Sequence, residues 1–234
     1  MIEIIATTLE DARRIEEGGA DRIELVSALT EGGLTPSYAL IKNVVQSVKI
    51  PVNVMIRPHA KSFVYTEAEI KLMMEDILIA KELKANGVVL GVLNRKKEID
   101  IPSLEKLLEA CDGIEVTFHR AIDELTDPVS GIALLSAFDR IKNVLTSGGK
   151  SYITNNLTTI RNMSEESKHI RILVGGGLSL ANIREVMAGS KASDYHFGTA
   201  VRDTHAAFGE IDVARIQDLV KIVGAATNDW IWKL

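Results

Sequence analysis

Cysteine is nearly missing from this chain. Cys111 stands alone among 234 residues, so no disulfide can form within the chain and no CxxC metal or redox pair exists. The five histidines, His59, His119, His169, His196 and His205, show no HxxxH or HxH spacing, so no metal site is expected from the residues alone. No stretch approaches the roughly 20 apolar residues of a membrane helix. Met1-Ile2-Glu3 lacks the basic opening of a signal peptide. The expected compartment is therefore the cytosol, and no membrane partner is expected. A basic surface is also lacking: the formal net charge of −5 disfavours nonspecific binding to nucleic acid or anionic membranes. No linker or low-complexity tract divides the chain, so a single domain over residues 1–234 is expected.

What is present is an ordinary globular composition, 46% hydrophobic and 25% charged, with a regular rhythm. Short apolar runs near 2–6, 21–26, 51–56, 87–91, 114–118, 143–146, 170–174 and 194–198 read as strands. Amphipathic stretches lie between them. The clearest helix covers 66–83: Thr66 and Glu69 can form a capping box, and Ile70, Met73, Met74, Ile77 and Leu78 follow at helical spacing. Thr35-Pro36 opens a second, and Asp127-Pro128 supplies a cap and a first-turn proline for a third. Leu104, Leu107, Leu108 and Cys111 share one face of a fourth. The stretch 151–166, rich in Thr, Ser and Asn, is the weakest helical pattern. Units of about 20 to 36 residues suit βα repeats, and eight of them predict an α/β fold, a parallel (β/α)8 barrel of TIM type. An open doubly wound sheet is the alternative, but its middle strands would be apolar on both faces.

The strands here are not. In Arg22-Ile23-Glu24-Leu25, Asn53-Val54-Met55-Ile56-Arg57 and Glu115-Val116-Thr117-Phe118-His119, polar and apolar residues alternate, and alternate side chains point to opposite faces of a strand. With helices over the apolar faces, Glu24, Asn53, Arg57, Thr117 and His119 converge on one interior. Barrel enzymes carry their sites at the C-terminal strand ends. Arg57 and Arg120 can clamp an anion bidentately, although Arg57 could instead form a structural ion pair with Glu24 or Glu3. His119 is a candidate general acid or base. Glu24 would position Arg57 or share that work, and Asp123 could orient His119 or Arg120. No lysine ends a predicted strand, which disfavours Schiff-base chemistry.

The remaining strand ends are Thr146-Ser147-Gly148-Gly149, Gly175-Gly176-Gly177 and Gly198-Thr199. Backbone amides at such turns can hold phosphate. Ser179 could cap the helix that follows the second of them, while glycines at a tight turn need no further reason. A dinucleotide fingerprint fails because Leu180 stands where its third glycine belongs. Asn53, Arg120, Thr146, Ser147, Gly176, Gly177, Gly198 and Thr199 are the expected anion-binding residues.

Taken in order, Gly18-Gly19-Ala20-Asp21-Arg22-Ile23-Glu24-Leu25, Gly32-Gly33-Leu34-Thr35-Pro36-Ser37, Pro51-Val52-Asn53-Val54-Met55-Ile56-Arg57-Pro58, Val116-Thr117-Phe118-His119-Arg120-Ala121, Leu145-Thr146-Ser147-Gly148-Gly149 and Gly175-Gly176-Gly177 resemble the copper homeostasis protein CutC family over nearly the whole chain. The resemblance implies a cytoplasmic parallel barrel, often a homo-oligomer, associated with copper tolerance and in some members with copper binding. Family members often carry cysteine early in strand one and near the end of strand two, where this chain has Ile5 and Val26. His59-Ala60-Lys61-Ser62 stands in place of an arginine and a pair of glycines. Soft sulfur ligands suit Cu(I), and Met55 is the one expected in the interior. Three functions follow as expectations: copper handling, an isomerase- or lyase-like enzyme acting on a small phosphorylated or carboxylated metabolite, and an interaction scaffold anchored by Trp230 and Trp232.

Overall fold

The computed structural model describes the backbone of residues 1–231 and the side chains of 1–225. Eight strands close into one barrel in chain order: β1 (Ile2–Ala6), β2 (Arg22–Leu25), β3 (Val52–Met55), β4 (Gly87–Leu90), β5 (Glu115–Phe118), β6 (Ile141–Thr146), β7 (Arg171–Val174) and β8 (Asp194–Phe197). Every neighbouring pair is parallel, and β8 returns to β1 with Glu3 beside His196. The helices that cover it are α1 (Leu9–Glu17), α2 (Tyr38–Ser47), α3 (Glu67–Glu82), α4 (Ile101–Ala110), α5 (Pro128–Leu135), α6 (Leu157–Glu166), α7 (Ile183–Ser190) and α8 (Val213–Ile231). No helix among the described residues is long and apolar enough to cross a membrane.

The period-two pattern sorts the strand residues into two environments. Ile4, Ile23, Val54, Val88, Val116 and Phe118 are fully buried in the large core shared with the helices. Ile5, Val26, Met55 and Val89 form a separate small cluster on the inner side. Polar residues fill the rest of that interior: Glu3, Arg22, Glu24, Asn53, Thr117 and His196 are all buried. A closed sheet has no exposed edge, and its staggered inward side chains fill a packed interior rather than a pore.

Local signals behave as expected where hydrogen bonding alone decides. Thr66 and Glu69 form the reciprocal capping box of α3, and the Asp127 carboxylate accepts from the Val129 and Ser130 amides at the start of α5. Ser179 does not cap a helix. The chain makes a further turn first, Asn182 becomes the N-cap, and Asn182 Oδ1 accepts from the Ser179 amide at 2.8 Å. Leu78 is 53% exposed because Ile70, Met73, Ile77 and Ala80 form the buried stripe of α3. In the stretch 151–166 a 3-10 turn (Ile153–Asn155) precedes the helix. The Trp230 side chain and Trp232 lie outside the described residues.

Candidate functional site

A cavity of about 290 Å³ opens at the C-terminal ends of the strands. Glu24, Arg57, His119, Arg120, Gly176, Gly177, Gly198 and Thr199 line it. His196, Phe63, Ile5, Met55, Leu145 and Leu178 complete most of the wall. Its size suits a small metabolite.

Arg57 follows β3 and turns into the barrel mouth. It is 8% exposed, and its Nη1 donates to the carbonyls of Glu31 and Gly33 at 2.9 and 3.1 Å. Its guanidinium carbon lies 5.0 Å from the centre of the Phe63 ring. No carboxylate among the described residues comes within 4.0 Å of it, and its Nε makes no hydrogen bond. Glu3, one partner considered for it, is engaged by Arg22 instead, with Nε to Oε2 at 2.5 Å. A buried cation lacking a counter-charge is costly.

His119 caps the 3-10 turn Arg120–Glu124: the Ala121 N–H donates to its Nδ1 at 3.2 Å. The neutral ring therefore carries its proton on Nε2, which is buried and makes no hydrogen bond. Burial and the Arg57 charge push this histidine down to about 3. At neutral pH it is a hydrogen-bond donor rather than a cation. Gly91 leaves room for the ring, since a Cβ there would stand 2.5 Å from Nδ1. Gly91→Ala should move the ring and cost about 1–3 kcal/mol of stability by overpacking. Urea unfolding together with the His119 ring NMR signals checks this, and unshifted signals would show that the ring does not need the gap.

The deeper wall holds a network that the linear pattern did not reveal. Glu3 Oε1 lies 2.8 Å from His196 Nδ1, and Glu24 Oε2 lies 3.7 Å from His196 Nε2. Glu24 Oε1 makes no hydrogen bond. Burial lifts the Glu24 pKa to about 7, with the Glu3 charge adding to the rise. Burial works against the charged form of His196, but Glu24 and the Glu3 hydrogen bond outweigh it and raise that pKa. No motif marks His196, and the strand pattern offers Glu3 only as a possible partner of Arg57. The signal that could have exposed the pair is their shared inward position on the strands that close the barrel.

Other expected site residues sit elsewhere. Asp123 accepts from Thr146 Oγ1 at 2.5 Å, from the Ser147 amide and hydroxyl, and from Arg120 Nε at 2.9 Å. It thus orients Arg120 and does not bond to His119. Thr146 alternates with the cavity-lining Leu145 and contacts Met163 on the helix side. Thr146 and Ser147 are committed to Asp123 and hold the loop. Asn53 is buried below the cavity, where its Oδ1 accepts from Asn86. Gly176 lies against the guanidinium of Arg120, where a Cβ would approach Cζ to 2.7 Å.

The donor set does not suit Cu(I). Ile5 and Val26 pack with Met55 and Val89 as an apolar layer, and Met55 is the one sulfur in the wall among the described residues. Cys111 is buried at the end of α4, in the core under the helices. Glu3, Glu24 and His196 place ligand atoms within 4.8 Å of one another. They offer hard oxygen and nitrogen donors, and Arg22 already holds one carboxylate.

The architecture and the strand-end residues recur in known proteins. The chain is 39% identical over 216 residues to the human copper homeostasis protein cutC homolog, covering 92% of this chain and 79% of that one. The crystal structure of a CutC protein from Streptococcus agalactiae superposes with a TM-score of 0.80 at 34% identity, over 85% of this chain and 97% of that one. Phosphoribosylanthranilate isomerase from Thermotoga maritima, 19% identical with a TM-score of 0.66 over 96% of this chain and 98% of that one, shares the fold alone. The CutC family model matches residues 1–201, from β1 through the turn after β8. With that match running through every strand that builds the cavity, the chain belongs to the CutC family.

Proposed function

We propose that this barrel binds a small anionic metabolite, phosphorylated or carboxylated, at its C-terminal mouth and performs proton transfer on it. One observation carries the reading: Arg57 is a buried guanidinium with no carboxylate partner among the described residues. Such a charge is tolerated where a bound anion completes it, and charge-assisted hydrogen bonds to an anion are about twice as strong as neutral ones. Arg120, held by Asp123, and the amides near Gly176, Gly177 and Gly198 could supply further contacts. Glu24, 3.7 Å from His196 Nε2, adds a carboxyl that can exchange a proton near neutral pH.

Copper homeostasis is in the name of the human relative. Thiolate and thioether ligands favour Cu(I), and among the described residues this mouth offers one thioether and no thiol, so no step is assigned to copper. Titration of the reduced protein with Cu(I) against a competing chelator should give an affinity no better than that of a surface Met/His site.

Calorimetry with inorganic phosphate, glycerol 3-phosphate and lactate tests the anion reading. At least one should bind, and should raise the melting temperature in a concentration-dependent way, as expected for a ligand of the folded state. No heat and no shift with any of them would remove the proposal.

A further inference from the structure

Anion binding leaves two buried groups without a purpose. His119 Nε2–H and Glu24 Oε1 belong to the same cavity, and both lack a partner. Each is nine-tenths buried or more, at 3% and 2% exposure. A fixed neutral donor beside a guanidinium is suited to an oxygen that gains negative charge during a reaction. A carboxylate whose second oxygen faces an imidazole is suited to take a proton and pass it on. Glu3, itself fixed by Arg22, holds that imidazole at Nδ1. Ile5, Met55, Leu145 and Leu178 make part of the cavity wall apolar, which strengthens electrostatic interactions there. Among the described residues the lining contains no lysine, cysteine or serine, so none of them offers a nucleophile for an imine or thioester route.

Resting on the anion reading above, we propose that the barrel enolises a small anionic carbonyl compound, with Glu24 as base and His119 and Arg57 as the oxyanion site. Glu24 takes the proton from the carbon next to the carbonyl. The C–H electron pair becomes the C=C bond, and the carbonyl π pair moves onto the oxygen facing His119 Nε2–H and Arg57. Return of the proton to carbon closes the cycle with no oxidant or co-reactant. His196 is a positioning residue: held at Nδ1 by Glu3, it stands with Nε2 3.7 Å from Glu24 Oε2 and keeps that carboxylate in place. Burial keeps His119 neutral and lifts Glu24 toward neutrality, which suits a donor and a base at physiological pH.

Enolate analogues separate this step from simple binding. Phosphoglycolohydroxamate carries a planar enediolate mimic on a phosphate; glycerol 3-phosphate carries the phosphate without it. Oxalate mimics the enolate of a 2-oxo acid, and lactate does not. In at least one pair the analogue should bind at least about 100-fold tighter than its control, the lower range for transition-state mimics. The preferred pair names the anion as phosphate or carboxylate. Glu24→Gln and His119→Phe should each reduce that preference at least about 10-fold, the lower part of the range that loss of one such group costs. The same wild-type protein should exchange carbon-bound hydrogen of dihydroxyacetone phosphate or pyruvate with D2O, and Glu24→Gln should not. If the controls bind and neither analogue binds more tightly, enolisation is overturned while anion binding stands. If no compound binds, both fall.

Discussion

Removing the Glu3 carboxylate is expected to destabilise the barrel by about 3–5 kcal/mol, the usual cost of leaving a buried charge without its partner. Glu3 is 0% exposed. One of its oxygens meets Arg22 at 2.5 Å and the other meets His196 at 2.8 Å. Glu3→Ala leaves the Arg22 guanidinium buried at 5% exposure without its contacting carboxylate, and it removes the hydrogen-bond partner of His196 Nδ1. Glu3→Gln keeps the shape and should cost less, since an amide oxygen can still accept one hydrogen bond. The double variant Glu3→Leu, Arg22→Met should recover most of the loss, because an apolar replacement of a buried pair is often neutral or better. Urea unfolding at constant m-value measures all three. A Glu3→Ala loss below about 1 kcal/mol, the scale of an exposed ion pair, would mean that water or a backbone shift neutralises Arg22.

Arg57→Met is expected to show the opposite signature. Anion affinity should fall at least about 100-fold, corresponding to loss of charge-assisted bonds worth about 1.5–3 kcal/mol each. Unfolding free energy should change by no more than about 1 kcal/mol, because two opposing effects nearly cancel. The variant loses the hydrogen bonds to Glu31 and Gly33 and the contact with Phe63. It also relieves the burial of a cation that no carboxylate balances. Glycerol 3-phosphate calorimetry and urea unfolding on the same preparation test both halves. An unaltered affinity with a large drop in stability would make Arg57 a structural brace and remove the anion site. Two buried arginines one strand apart thus have separable roles, with Arg22 holding the fold and Arg57 holding the ligand.

Much of the architecture was legible from short-range patterns. The capping box at Thr66, the Asp127-Pro128 start and the alternation in β2, β3 and β5 all act within a few residues, so local hydrogen bonding and side-chain direction settle them. Arg57, His119 and Glu24 reach the cavity for the same reason. The errors arise where the answer depends on distant chain. Leu78 has helical spacing but faces solvent, because the position of α3 on the barrel selects the stripe from Ile70 to Ala80. The strand-end position of Thr146 points to the site, yet strand phase turns its side chain toward Asp123 and Met163.

By itself, the sequence determined the strand and helix rhythm, the closed parallel barrel it implies, the inward set of polar residues and the loss of thiols at Ile5 and Val26. Tertiary structure alone decided which charges meet. Alternation tells which face a side chain takes, but not which strand it will find across a closed sheet. Closure brings β8 against β1, so Glu3 and His196, 193 residues apart, share a hydrogen bond. That closure commits Glu3 to Arg22 and His196. It leaves Arg57 without an anion, with the donor of His119 and the carboxylate of Glu24 in the same cavity.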